Sequence, residues 1–99
     1  MNKDISANWS QDDQLLLPVK DFVEHSPLLA QLKWSSVMIC GMIRAGLLYG
    51  VHLSNEGGWH TTKKDLVELI MLRNERLLTK PISIEEAMDS INPVRKYVG

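Results

Sequence analysis

The side chains in this chain that could do strong polar chemistry near one another are mostly cations. Arg44 ends an otherwise apolar run, Val37-Met38-Ile39-Cys40-Gly41-Met42-Ile43-Arg44-Ala45, and it is the only strong multi-donor side chain there. An arginine so placed can reach a base edge or a phosphate. Lys33, Ser35 and Ser36 stand just before the run and add one charge and two hydroxyls. Lys63 and Lys64 open a later helix, where unpaired backbone N–H groups and the positive dipole end favour a phosphate whatever the base sequence. Those six residues are the candidate DNA contacts. Other chemistry is thinner. His25, Cys40, His52 and His60 are the soft metal ligands, and none of their spacings resembles a zinc pair. Cys40, in an apolar helix with nothing nearby to stabilise a thiolate, reads as a small hydrophobe. With no phosphate loop, dinucleotide fingerprint or nucleophile elbow, the expectation is a protein that is not an enzyme and carries no cofactor or metal.

The elements that must hold these residues follow from periodicity and capping. Ser35-Ser36 start a helix over 35–45, and Gly46 stops it, since the residue after a last turn often needs the left-handed backbone that glycine adopts cheaply. Met38 and Met42 read as core fillers on that helix. Around Asn55-Glu56-Gly57-Gly58, two alternating stretches predict a hairpin with strands at 50–54 and 58–62. Val51 and Leu53 should point inward, His52 and Ser54 outward, and Trp59 should staple the hairpin to the core. Thr62 caps the next helix, predicted over 63–78, with Asp65 reaching back towards the cap.

Upstream, a helix over 18–24 carries Pro18 in its first turn and places Val19, Phe22 and Val23 on one face, and Ser26-Pro27 caps a short helical turn over 28–32. Downstream, Lys80-Pro81 stops the long helix, and Ser83-Ile84-Glu85-Glu86 starts a last one over 84–90 with Ile84, Ala87, Met88 and Ile91 as its apolar face. The long helix has two apolar stripes, Leu66-Leu69-Ile70-Leu77 and Val67-Met71-Leu72-Leu78, more than a small core needs. Either the C-terminal segment folds back over it or a second subunit does. The expected organisation is a flexible arm over 1–14 with Trp9 loosely held, one domain over 15–92, and a tail over 93–99. The fold class is mainly α with a small β-hairpin.

This order of parts resembles the winged helix-turn-helix of excisionase and MerR-type DNA-binding domains. The resemblance is carried by Met42-Ile43-Arg44-Ala45-Gly46-Leu47-Leu48, Gly50-Val51-His52-Leu53, Gly57-Gly58, Trp59-His60-Thr61-Thr62 and Lys64-Asp65-Leu66-Val67-Glu68-Leu69-Ile70, and it covers about half the chain, from Leu17 to Leu72. It implies a small DNA-binding protein of a phage or mobile element, an excisionase-like recombination directionality factor or a transcriptional regulator. On this pattern 35–45 is the recognition helix and 50–62 the wing, with double-stranded DNA bound by a homodimer or cooperative assembly. Three departures stand beside it. The connection between the first two helices of the motif is long, the recognition helix offers few base readers, and the wing tip has no lysine or arginine. The alternative on the same fold is a protein-interaction module, or an inhibitor, whose apolar helix over 66–78 binds a host or partner protein.

Composition is that of a globular chain, 99 residues with 44% apolar and 23% charged, enough for one small core. One cysteine allows no internal disulfide. With no basic-then-apolar leader and no apolar run near 18 residues, the expectation is a cytoplasmic protein without a membrane partner. The net charge of −1 speaks against indiscriminate nucleic-acid binding, but it is unevenly spread. Residues 1–32 hold two basic and five acidic residues, net −3; 33–80 hold seven and four, net +3; 81–99 hold two and three, net −1. The positive excess coincides with the winged-helix stretch, as phosphate contact requires.

Overall fold

Leu17–Pro18 is a strand, β1, and not the first turn of a helix. Pro18 has extended backbone (φ −59°, ψ 136°), and its missing N–H is tolerated because β1 is an edge strand. The computed structural model describes residues 9–53, 58–73 and 82–92. After β1 come α1 (Val19–His25), α2 (Pro27–Leu32) and α3 (Ser36–Arg44), then β2 (Val51–Leu53), β3 (Gly58–Thr61), α4 (Lys63–Leu72) and α5 (Ile84–Ser90). The sheet is antiparallel with order β1-β3-β2, so the expected hairpin gains a third strand. The chain is thus mainly helical with a small sheet.

Register sets the faces of the hairpin, and Trp59 packs against the edge of the core as expected. Val51 pairs with His60 and His52 with Trp59, and residues directly opposite in an antiparallel pair project to the same face. Trp59 therefore lies on the His52 side, the two rings meeting edge to face at 5.0 Å and 72°, while it remains half-buried against the edge of the core. His60 takes the place beside Val51. It is buried, and its Nδ1–H donates to the Gly58 carbonyl at 2.8 Å.

The core is built from Phe22, Leu29, Ile39, Leu66, Val67, Ile70 and Ile91, all fully buried. Burial of each such side chain stabilises by about 1.5–3 kcal/mol. α1 packs against α3, and α5 packs against both α4 and α2. Ala87 and Ile91 are buried, so the C-terminal segment folds back over α4, the first of the two arrangements that its apolar excess allowed. Leu72 is left 75% exposed. α4 ends at Leu72, with Arg73 at its C-cap, six residues short of the expected end; Leu77, Leu78 and the rest of 74–81 lie outside the described residues. So do 1–8, the tail over 93–99, and Ser54 to Gly57 of the hairpin turn.

Capping largely follows the sequence pattern. Ser83 and Glu86 exchange bonds, backbone N–H of each to the other's side chain, at 3.0 and 3.1 Å. The Ser35 hydroxyl accepts from Met38 N–H at 3.3 Å. Ser26 departs from it. It stands at the N-cap position of α2 but makes no capping bond; its buried hydroxyl donates to the Asn92 carbonyl at 2.8 Å and accepts from Asn92 N–H at 2.7 Å. This ties the end of α5 to the α1–α2 corner. The N-terminal arm departs as well, in its described part. Ser10 and Asp13 bond reciprocally, Asp12–Gln14 forms a 3-10 turn against α4, and Trp9 packs on the core.

Candidate nucleic-acid interface

Both ends of α3 are held by backbone chemistry. At its start α2 closes with a residue in the left-handed region, Lys33 at φ 62°. Lys33 N–H bonds Ala30 O and Trp34 N–H bonds Leu29 O, the paired bonds of a Schellman turn, with Trp34 and Leu29 buried as its hydrophobic contact. At its end the same bonds recur, Gly46 N–H to Ile43 O and Leu47 N–H to Met42 O, with Gly46 at φ 80° as expected. Between these turns Ile39 and Ile43 are buried, and Cys40 and Met42 are half-buried against the core.

The other side of α3 is open. Val37 is 77% exposed and Met38 45%, a Cβ placed on Gly41 would meet nothing within 4 Å, and Arg44 is exposed. Positions 37, 41 and 44 form one stripe by the four- and three-residue steps of a helix. Met38 is therefore a surface residue; only Met42 fills the core as expected. From His25 to Asn55 the chain contains no acidic residue, so the exposed Lys33 and Arg44, at the two ends of this face, have no counter-charge from their own segment. α3 itself rises about 12 Å over the eight steps from Ser36 to Arg44, and Lys33 lies outside it at the C-cap of α2. Ser35 is exposed with its oxygen engaged in the cap, and Ser36 is half-buried.

Lys63 and Lys64 are set apart from that group. Thr62 Oγ1 accepts from Asp65 N–H at 3.0 Å and donates to the Asp65 carboxylate at 2.5 Å, so a negative group already sits at the positive end of α4. Lys64 Nζ pairs with Glu68 at 3.2 Å. Lys63 is half-buried and has no such pair among the described residues. The first turn of α4 lies beside the loop after α3, where Thr61 Oγ1 donates to the Tyr49 carbonyl at 2.7 Å. An open cleft of about 140 Å³ there is lined by Leu47, Leu48, Tyr49, Asp65, Glu68, Leu69 and Leu72. The carboxylates, not the lysines, line it.

Burial pushes the Cys40 thiol up from its ordinary value, an effect that the Arg44 cation one turn on partly offsets. His25, Cys40, His52 and His60 sit on four different elements, and among the described residues no three potential metal ligands converge. Val37, Met38 and Gly41 complete this face, which the sequence leaves open between contact with thymine methyls and packing by protein. Their 37, 41, 44 spacing was the available signal, but apolar residues at that spacing equally describe a buried face. Compared with protein-family models, curated proteins and solved structures, the chain matches none. No helix among the described residues is long and apolar enough to cross a membrane.

Proposed function

We propose that this chain is a small winged helix-turn-helix DNA-binding protein, similar to excisionases and related regulators of phages and mobile elements. In this reading α3 enters the major groove and the β2–β3 hairpin lies beside it. The observation that carries the reading is the outer face of α3: open, free of acid, and flanked by Lys33 and Arg44. Such a face complements a polyanion, and an α-helix about 10–12 Å in diameter with its side chains fits a major groove about 12 Å wide. Lys63 adds a third cation, whereas Lys64 contributes less because Glu68 holds it. The protein bends, bridges or occludes DNA and catalyses nothing.

The test is fluorescence anisotropy with a random pool of short duplexes, read across salt concentration. Three phosphate contacts predict a log–log salt slope of about −2.7 per protein bound. Lys33→Ala and Lys63→Ala should each flatten it by about 0.9. Absence of binding at about 50 mM salt would remove the reading. A second reading, a protein-interaction module, is favoured by a different observation: Leu47, Tyr49 and Leu72 are exposed around the cleft that Asp65 and Glu68 line. That surface suits an apolar segment bearing lysine or arginine.

A further inference from the structure

The donors available on α3 are too few to read several base pairs by hydrogen bonds, yet the exposed face is not featureless. We infer that α3 selects DNA by the C5-methyl groups of thymine, with Val37 and Met38 as the groups that touch them. The inference rests on the DNA-binding reading and states what that surface recognises.

Four observations carry it. Val37 has three-quarters of its surface in water, and Met38 nearly half, on a helix whose two ends are fixed by capping. Large apolar side chains held out in this way are matched in the major groove by one apolar base substituent, the thymine methyl. Gly41 lies one turn beyond Val37 with open space in front of it, so the backbone can come closer to the base edges there than any other residue type would allow. The cations bracket the face in sequence, Lys33 at the C-cap of α2 before it and Arg44 in the last turn of α3. Cations at the margins of such a face, and not at its centre, suit phosphates bordering the groove more than bases at its floor. Lys33 and Arg44 therefore position the helix, and the apolar centre reads. Finally, no asparagine, glutamine, aspartate or glutamate lies between Lys33 and Leu53, so the side chains that usually pair with adenine or cytosine edges are missing from this segment.

The experiment enriches the random pool of short duplexes on the wild-type protein, then remakes the best-retained duplex with deoxyuridine in place of thymine, which removes the methyl and nothing else. The expected result is binding weaker by about threefold to fourfold for each contacted methyl, the worth of one buried CH₂ group. Val37→Ser, a change at an exposed position that leaves the core intact, should bind the thymine and deoxyuridine duplexes more nearly alike, with little change for the latter. Gly41→Leu should keep the helix, since nothing packs there, and lose both duplexes by at least tenfold because the groove approach is blocked. Equal wild-type affinity for the two duplexes would overturn the inference and leave the DNA reading standing. Discrimination that survives both Val37→Ser and Met38→Ser would overturn it too, since the methyl would be sensed elsewhere. No retention of any duplex at low salt would overturn the inference and the reading beneath it, and would assign the α3 face to a protein partner.

Discussion

Gly50 joins the α3 turn to β2, and its hydrogen is all the space allows. A Cβ at this position would lie 2.5 Å from Ile43 Cδ1 and 2.8 Å from both Cγ1 and Cγ2, where ordinary carbon contacts are about 3.5–4.0 Å. Rotating χ1 of Ile43 does not clear the overlap, because Cγ1 and Cγ2 both spring from Cβ and one replaces the other. Ile43 is also buried and cannot swing into water. Gly50→Ala must therefore shift the strand away from the helix, at about 1–3 kcal/mol. The loss of unfolded-state freedom returns about 0.4–1 kcal/mol of this. The expected net destabilisation is about 1–2 kcal/mol, or a fall in Tm of roughly 4–16 °C for a domain of this size.

Urea unfolding followed by tryptophan fluorescence can measure this, because Trp34 is buried and Trp9 and Trp59 pack on the core edge. The decisive comparison is the double mutant. Ile43→Ala alone should cost about 2–5 kcal/mol, but it removes all three clashing atoms. In that background Gly50→Ala should be neutral or slightly stabilising, a coupling of about 1–3 kcal/mol. An equal cost of Gly50→Ala in both backgrounds, or a Gly50→Ala protein as stable as wild type, would refute the reasoning.

Three further outcomes are expected. Lys33→Gly should raise stability by about 0.5–1 kcal/mol in the same assay, because a Cβ in the left-handed region costs about 1–2 kcal/mol and glycine gives part of that back as unfolded-state entropy; the same change should weaken DNA binding and flatten its salt slope. Ser26→Ala should cost about 1–3 kcal/mol by leaving the Asn92 N–H and C=O without their partner, and hydrogen exchange should quicken in α5 before it does in α3. Glu68→Gln frees Lys64 and should tighten binding to random duplexes, steepening the salt slope by up to about 0.9; an unchanged slope would mean that Lys64 faces away from DNA.

What could be read in the sequence divides along a physical line. Local chemistry was legible: the left-handed Gly46, the Ser83–Glu86 capping box and the Thr62 cap depend on residues within a few positions of one another, and the structure forms each of them. The helices over 36–44 and 84–90 follow with them. Long-range pairing was not. Leu17–Pro18 reads as a helix start by its proline, and only its ladder to His60 and Thr61 makes it a strand. That Trp59 packs on the core edge is legible in the sequence; that it lies on the His52 side is not, because each strand's alternation is visible while the register between strands is not. Lys33 in the left-handed region is invisible for a related reason. Glycine is the residue that announces a Schellman turn, and here a lysine accepts the strain, aided by the Leu29–Trp34 contact. Among the candidate contacts, Ser35, Ser36 and Arg44 fall on α3 or its cap while Lys33 closes α2 before it; the Asp65 carboxylate at the Thr62 cap is legible from its three-residue spacing, and the four-residue spacing of Lys64 and Glu68 is the signal for their ion pair.

The apolar excess on the helix after the hairpin bears on self-association. Leu66, Val67, Leu69 and Ile70 are all buried within one chain, and the Ser26–Asn92 bonds fasten the segment that helps to cover them. At the cleft beside that helix, Leu47, Tyr49 and Leu72 remain exposed. Three such side chains make a patch of a few hundred Å², ordinary for a monomer, while a stable interface buries about 1,200–2,000 Å² in total. A dimer held by this patch alone would therefore dissociate readily in solution. Under the proposed DNA-binding function the balance would change, because neighbouring sites would raise the effective concentration to the order of millimolar, and a weak contact would suffice there. Cooperative assembly on the duplex is then the form of self-association that this proposal predicts for the patch. Sedimentation should find monomer without DNA and a steepened binding isotherm on duplexes long enough for two copies. Leu72→Ser should abolish the steepening without changing affinity for a duplex that holds one copy, and a steep isotherm that persists in Leu72→Ser would refute the assignment of the contact to this patch.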